Sequence, residues 1–487
     1  MKYFSVFILF AFIIVSSPHA ETDIPTTYET PELVRLTDDN TQLDANMSRT
    51  TEIYTDLMWA AYCSTREPQS QKSQNAYNAL IKKLVSDDDF SEVLPKNELS
   101  FIFAQRAKLR LSKWQHPVGA EADARMSLEL DPESVNAAWI LGKTLADRYL
   151  FPNTTRDINK ETEIFTALQR VVKLDPDHHD AHLYLGSIAR DLGHPELAIN
   201  SFKALTRIIP FRAQYHNELG KLYENQNRHE EALDSYERVL TISPDDINAH
   251  YSVGIAYQLK NNFEKAEHHI KRAVALLEER VNISRMARMR SRDRRMLAQR
   301  LQDARYQLAQ VYLRFDAPQK AVSNFEDILS NDGKNVPALI GIGIAYQMLD
   351  DVQRSENYLR KAIESSSTEE PDAYNALGYL YAEQGIKLDE AETLVRRALK
   401  SFPTSGAYLD SLGLIYLKQG KLDAAIEKLE QAVRYLPDEL EILGHLADAY
   451  LEKGLDQKAL QTLEHAVQIE PDNTEFRQKL NTIRSSK

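Results

Sequence analysis

Residues that could catalyse a reaction or bind a metal are present in this sequence, but their spacing fits neither task. The adjacent pairs His178-His179 and His268-His269 would point to different faces of a helix, so neither pair can chelate one ion. Gly341-Ile-Gly343 begins like a dinucleotide-binding loop, but Tyr346 stands where its third glycine belongs. Ser411 lacks the preceding glycine of a nucleophile elbow. The sequence therefore predicts a non-enzymatic protein without a cofactor or metal, and an enzyme with an unrecognised site is the alternative.

The overall charge narrows the range of partners. The chain has 487 residues, 59 Lys and Arg against 72 Asp and Glu, and a net charge of −13. This acidic balance argues against nucleic acid as a partner, because binding the phosphate backbone requires cationic side chains. A single cysteine, Cys63, excludes a disulfide within the chain.

One stretch departs sharply from the acidic balance. Residues 280–300 hold eight arginines and one acid, Asp293, and contain neither proline nor glycine. We expect this stretch to extend the helices on either side of it. It forms a candidate basic patch, represented by Arg285, Arg288, Arg292 and Arg295. Two interpretations remain open: a solvated helix extension, or a cationic surface for an acidic protein, an anionic lipid surface or a glycan.

The elements that would position these residues follow from a repeat of about 34 residues. Small residues recur at this interval, except for an interval of 55 residues between Gly254 and Ala309 that contains residues 280–300. An aromatic residue follows most of the small residues by three positions, and a bulky residue follows by sixteen. The small residues are Gly186, Gly220, Gly254, Ala309, Gly343, Gly378, Gly413 and Ala447. Spacings of three and four place side chains on one helix face, and small residues let two helices approach closely. A single hairpin cannot bury its apolar stripe, so the repeats must stack on each other.

These features resemble the tetratricopeptide repeat. The segments Asn375–Pro403 and Asp410–Pro437 match the family pattern almost position for position. The resemblance implies an all-α, right-handed solenoid, or superhelix, of about nine to ten helical hairpins. The succession of repeats is most similar to bacterial cell-envelope proteins of this family, including adaptors of periplasmic proteases, although this chain lacks their lipidation cysteine.

The resemblance also implies a binding groove. In this family the first helix of each hairpin lines the concave surface, at positions three before, one after, and four to five after the small residue. These positions give a central apolar and aromatic set with interspersed amides: Tyr251, Ile255, Gln258, Tyr306, Gln310, Ile340, Ile344, Gln347, Met348, Asn375 and Tyr379. Such a groove suits an extended peptide or an amphipathic helix. The alternative is that these residues pack against another part of the same chain.

The ends of the chain suggest export and capping. Residues 1–20 carry Lys2 and then the apolar run Phe4–Val15, which is too short to cross a bilayer and is typical of a secretory signal. Residues 21–50 are predicted to be a flexible leader, 51–131 a degenerate helical region, 132–471 the repeat array with insertions near 151–160 and 280–300, and 472–487 a C-terminal capping helix. We therefore expect an exported protein, periplasmic or envelope-associated if the source is bacterial.

The sequence as a whole predicts an interaction scaffold or adaptor of the cell envelope, which binds a peptide or a partner helix in its groove. The expected partners are other proteins, such as envelope enzymes or proteases, and not nucleic acid. A membrane surface, contacted through residues 280–300, is a further candidate partner. The alternative within binding proteins is the scaffold of an exopolysaccharide synthesis or export assembly.

Overall fold

The structure, a computed structural model, describes residues 41–66, 68–85, 94–150, 157–286, 289–366 and 369–485. These residues form 23 helices and no strand. In chain order they are α1 (Thr41–Arg66), α2 (Gln71–Val85), α3 (Lys96–Ser112), α4 (Pro117–Leu130), α5 (Val135–Tyr149), α6 (Ile158–Leu174), α7 (His179–Leu192), α8 (Pro195–Ile208), α9 (Ala213–Asn225), α10 (His229–Ile242), α11 (Ile247–Leu259), α12 (Phe263–Met286), α13 (Ser291–Arg314), α14 (Pro318–Asn331), α15 (Val336–Met348), α16 (Val352–Ser365), α17 (Pro371–Gln384), α18 (Leu388–Ser401), α19 (Gly406–Lys418), α20 (Leu422–Tyr435), α21 (Leu440–Glu452), α22 (Asp456–Ile469) and α23 (Thr474–Ser485).

The helices pair into consecutive antiparallel hairpins within two units, residues 1–232 and 233–487. In the first unit α1 packs on α2, α3 on α4, α5 on α6, and α7 on α8. In the second unit the pairs run from α11–α12 to α21–α22, and α23 packs on α22. The predicted all-α repeat solenoid is confirmed. No helix in the described ranges combines the length and the apolar character that crossing a bilayer would require.

The predicted signal, leader and insertions are only partly covered by the described residues. The predicted signal, 1–20, and residues 21–40 of the predicted leader lie outside the described residues. Helix α1 begins at Thr41, within the predicted leader, after acids and an asparagine that are also favourable residues just before a helix. The insertion near 151–160 lies mostly outside the described residues, and α6 begins inside it at Ile158. The insertion near 280–300 lengthens both α12 and α13, as the sequence predicted.

Small residues allow the two helices of a hairpin to approach closely. A methyl group at Gly413 on α19 would lie 2.5 Å from Leu429 Cγ on α20, the bulky residue sixteen positions later. At Gly378 on α17 it would lie 2.5 Å from Val395 Cγ2 and 3.1 Å from the backbone oxygen of Ala391 on α18. Because a backbone oxygen cannot move aside cheaply, the recurring small residue is a steric requirement of the hairpin.

The recurring aromatic residue joins one hairpin to the preceding one in the second unit. At five of these positions the tyrosine hydroxyl donates to a glutamate on the second helix of the preceding hairpin. These pairs are Tyr257–Glu237 (2.6 Å), Tyr312–Glu267 (2.9 Å), Tyr381–Glu356 (2.8 Å), Tyr416–Glu392 (3.2 Å) and Tyr450–Glu430 (2.6 Å). A lysine ammonium lies over each of these rings, as Lys458 does over Tyr450 at 5.1 Å. We call each such set an inter-hairpin rung.

Replacing Gly378 with valine should destabilise the second unit by about 1–3 kcal/mol, because the added methyl groups overpack the contact between α17 and α18. The matched control is Gly333→Val, since an added carbon at Gly333 meets only a backbone oxygen at 3.7 Å. Urea unfolding followed by circular dichroism measures both variants. Equal shifts of the unfolding midpoint in the two variants would contradict the steric explanation.

The inter-hairpin rung at Tyr381 should make part of the stability of the folded state depend on pH in the acidic range. Partial burial alone would raise the pKa of Glu356, but hydrogen bonds from Lys387, Arg360 and Tyr381 outweigh it and lower the pKa from 4.5 to about 2. A lowered carboxyl pKa stabilises the folded state above about pH 4.5, and this contribution is lost as the pH falls towards 2.

We therefore expect Glu356→Gln to be less stable than the wild type at neutral pH, with a difference that shrinks between about pH 4.5 and pH 2. Thermal unfolding at a series of pH values measures the difference. Glu326→Gln, at an exposed glutamate of α14, makes the same charge change outside the rungs and should show no such trend. A pH-independent deficit in Glu356→Gln would show that the pair is not linked to protonation.

Candidate functional site

The first helices of successive hairpins form one continuous row in the second unit. Helix α13 contacts α15, α15 contacts α17, α17 contacts α19, and α19 contacts α21. The hydroxyl of Tyr379 on α17 donates to the carboxylate of Glu441 on α21, although α19 lies between these helices in the row. A side chain reaches past a neighbouring helix in this way where the row curves towards it. We call this side of the row the inner face.

The predicted groove residues all lie on helices of this kind. Helix α11 carries Tyr251, Ile255 and Gln258, α13 carries Tyr306 and Gln310, α15 carries Ile340, Ile344, Gln347 and Met348, and α17 carries Asn375 and Tyr379. Ten of the eleven are half-buried, and Met348 is 39% exposed. Their role in binding a partner stays a prediction, because their positions alone do not show a ligand.

Several contacts link these residues across helices. Burial, together with the negative charge of Asp303 on α13, raises the pKa of Tyr251 on α11. The ring of Tyr306 packs edge-on against Phe325 at 5.7 Å between centroids, and its hydroxyl is hydrogen-bonded to Gln310. Gln347 donates to the Glu383 carboxylate at 2.7 Å. These interactions relate α11 to α13, α13 to α14, and α15 to α17.

Two of the predicted groove residues also pack against the core, and a third, Asn375, has a buried polar atom without a hydrogen-bond partner among the described residues. Ile340 and Tyr379 pack against the buried cluster of the C-terminal hairpins. The Oδ1 atom of Asn375 is buried, and among the described residues it has no hydrogen-bond partner. Leaving such an atom without a partner is unfavourable, so a donor from a bound chain would stabilise it.

A cleft that the sequence did not predict lies further along the inner face. Its volume is about 360 Å³, and it is lined by Glu383, Leu414, Leu417, Lys418, His445, Asp448, Leu451 and Glu452. All but His445 stand at the positions one, four or five residues after the small residue, so the same spacing rule could have identified them. The floor of the cleft is leucine and its rim is mostly acidic.

An ion pair lies at the edge of this cleft, formed by the half-buried His445, which lines the cleft, and the buried Asp410. His445 Nδ1 on α21 is 2.9 Å from Asp410 Oδ1 on α19, and the Tyr379 ring lies 6.4 Å from the imidazole. Burial alone would lower the pKa of His445, but the hydrogen bond to Asp410 and the charges of Asp410, Glu441 and Asp448 outweigh it and raise the pKa. The inner face therefore holds a histidine whose charged form is stabilised.

The candidate basic patch lies where α12 and α13 meet. Arg285, Arg292 and Arg295 are exposed, and Arg288 lies outside the described residues. The residues considered for chemistry are placed differently. Ser411 is buried and its hydroxyl donates to the Ala407 oxygen at 3.0 Å. Within the described ranges no cluster of three His, Cys, Asp or Glu side chains could hold a metal ion.

Sequence models of the tetratricopeptide repeat match this chain at residues 166–212, 211–279, 340–406 and 416–481. The chain belongs to the tetratricopeptide repeat family. Repeats of this family typically form protein-interaction scaffolds, and the repeats of this chain support a protein–protein interaction scaffold. The regions matched include the first helices α11, α17 and α21 and most of α15.

Similar proteins share the repeat but little else. A TPR repeat-containing protein of Pseudomonas aeruginosa is 33% identical over 110 residues, which cover 22% of this chain and only 18% of that protein. A tetratricopeptide repeat protein from Parabacteroides merdae is 20% identical and covers 56% of this chain and 98% of its own, with a TM-score of 0.47. The Cut9–Hcn1 structure is 14% identical over 91% of this chain and 88% of that chain, with a TM-score of 0.42. These similarities are too low to indicate a partner.

Asp410→Asn should lower the pKa of His445 below its ordinary value, because the burial of the imidazole remains while its main anionic partner is lost. In the wild type, the raised pKa stabilises the fold below about pH 6.5, and this contribution is lost as the pH rises through the pKa of folded His445. NMR titration of the imidazole measures the shift directly. Asp423→Asn, which removes an exposed acid that pairs with Lys453, should leave the titration unchanged.

Proposed function

We propose that this protein is a non-enzymatic adaptor of the cell envelope, which binds a peptide or a helix of a partner protein on the inner face of its second unit. The observation that carries the proposal is the continuous inner face of α13 to α21, with half-buried apolar and aromatic side chains leading to a leucine-floored cleft. Apolar surface with dispersed amides and carboxylates can bury a partner's side chains and pair its backbone.

The envelope location is part of the proposal and rests on residues 1–20, whose short apolar run after Lys2 is typical of an export signal. Envelope enzymes or proteases are the partners we propose for an adaptor in that compartment. Scaffolding of an exopolysaccharide assembly would use the same inner face, so the identity of the captured protein decides between these roles.

The combined substitution Tyr251→Ala and Ile344→Asp should reduce partner capture by about tenfold or more, because it removes an aromatic contact and places a charge in the apolar part of the inner face. Chemical crosslinking in the native cells, followed by mass spectrometry, measures the yield of the main crosslinked protein. The matched control is Tyr435→Ala with Ile469→Asp, which makes the same changes at exposed positions on the second helices α20 and α22.

Equal loss in both variants would contradict the proposed site, and circular dichroism verifies that each variant is folded. Crosslinks from Met348 to distant parts of the same chain, in place of a partner, would show that the inner face is occupied internally. Hydrolase activity in the purified protein that survives both variants would contradict the non-enzymatic assignment.

A further inference from the structure

Helices α12 and α13, the second helix of one hairpin and the first helix of the next, are longer than their neighbours. Each of these helices has 24 residues, whereas α10 and α14 have 14 and α11 and α15 have 13. At 1.5 Å per residue, ten extra residues correspond to about 15 Å of additional helix. We call the arginine-rich residues 280–300, of which the structure describes 280–286 and 289–300, the arginine tip.

The arginines of the tip differ from those of the repeats. Arg272 pairs with Asp245 at 2.6 Å, Arg305 with Glu278 at 2.7 Å, and Arg360 with Glu390 at 2.8 Å. In the described part of the tip, exposed arginines make no ion pair with any described residue. They are Arg280, Arg285, Arg290, Arg292, Arg294 and Arg295. The folded chain therefore leaves a dense positive charge unneutralised although it carries a net charge of −13.

The position of this charge opposes helix stability. Arg290 is the N-cap of α13, and Arg292, Arg294 and Arg295 follow in its first turns, with Asp293 as the acid of the first turn. The N-terminus of a helix carries a partial positive charge, so cations there are unfavourable and anions are favourable. A local arrangement that opposes the stability of its own helix points to a functional use.

Large apolar side chains are exposed among these arginines. Ile283 is 55% exposed, Met289 38% and Met296 57%. Basic residues interleaved with exposed apolar ones are typical of segments that lie in the interface of a membrane, where the apolar groups enter the acyl boundary and the cations meet the headgroups. An acidic surface without apolar groups would satisfy the charge and would leave these apolar side chains exposed to water.

We propose that the arginine tip docks this protein on a surface of anionic phospholipid. All eight basic residues of the tip are arginine and none is lysine. The guanidinium group binds a phosphate oxygen pair through two parallel hydrogen bonds, whereas an ammonium group acts as a point charge. The methionines and Ile283 add apolar contact below the headgroups. This role is separate from partner binding on the inner face, and either could hold without the other.

Vesicle co-sedimentation tests the proposal, with the chain from Glu21 to Lys487 so that the apolar run Phe4–Val15 cannot insert. We expect binding to vesicles of phosphatidylcholine with phosphatidylglycerol, and none to phosphatidylcholine alone. The variant R290Q/R292Q/R294Q/R295Q should bind at least about tenfold more weakly, because each cation near an anionic surface contributes to binding. Added salt should weaken wild-type binding in the same direction.

The matched control is K271Q/K334Q/K361Q/K400Q, which removes four exposed positive charges elsewhere in the same unit and should bind like the wild type. Equal weakening in this control, or equal binding of the wild type to neutral vesicles, would overturn the proposal. M289S/M296S should weaken binding several-fold, and an unchanged affinity would show a general polyanion site in place of a lipid interface. Release by low concentrations of inorganic phosphate would likewise identify a free-anion site. Inner-face crosslinking is read independently, so the two proposals can fail separately.

Discussion

At five joints of the second unit, a tyrosine hydroxyl donates to a carboxylate of the preceding hairpin, and this contact helps to set the orientation of one hairpin relative to the next. Apolar packing between hairpins is strong, but it has no preferred direction and would tolerate rotation of one hairpin against another. A hydrogen bond from Tyr450 to Glu430, with Lys458 over the ring, specifies one angle. Repetition of this contact through the second unit keeps the first helices in register, and the inner face exists because they stay in register.

The inner face combines buried apolar side chains with exposed charged side chains. Leu414 and Leu417 are buried at the floor of the cleft, while Glu383 and Glu452 are exposed at its rim. The buried Asp410 is stabilised by His445, so the fold holds an ion pair close to the surface that a partner would meet. A partner with apolar side chains and a cationic group would match both properties of this region.

The arginine tip differs from the repeats in how its positive charges are balanced. In the repeats, several cations pair with carboxylates of adjacent hairpins, as Arg360 does with Glu390. At the tip the cations lack such partners, and four of them stand at the unfavourable end of α13. Natural sequences depart from local consistency mainly where function requires it, and the tip is the clearest such departure in the described chain.

The sequence by itself determined the repeat, because hairpin packing requires small and bulky residues at regular intervals along the chain. Gly413 and Leu429 are sixteen residues apart in the sequence and meet in the structure, and the same spacing rule locates nearly all residues of the cleft. It also indicated that residues 280–300 would extend two helices. The sequence predicts that the helical region begins at residue 51, whereas α1 begins at Thr41. The two differ because acids and asparagine are typical both of flexible leaders and of the residues before a helix.

Only the tertiary structure decided which polar groups meet. The pairing of Tyr379 with Glu441 joins residues 62 positions apart on helices that are not adjacent in the row, and no spacing rule encodes it. The hydrogen bond between His445 and Asp410, and the lack of a carboxylate partner for the exposed tip arginines among the described residues, depend likewise on how the hairpins curve and where their ends project. Residue size can be read directly from the sequence, whereas the pairing of charged and polar groups depends on distances that exist only after the hairpins have stacked.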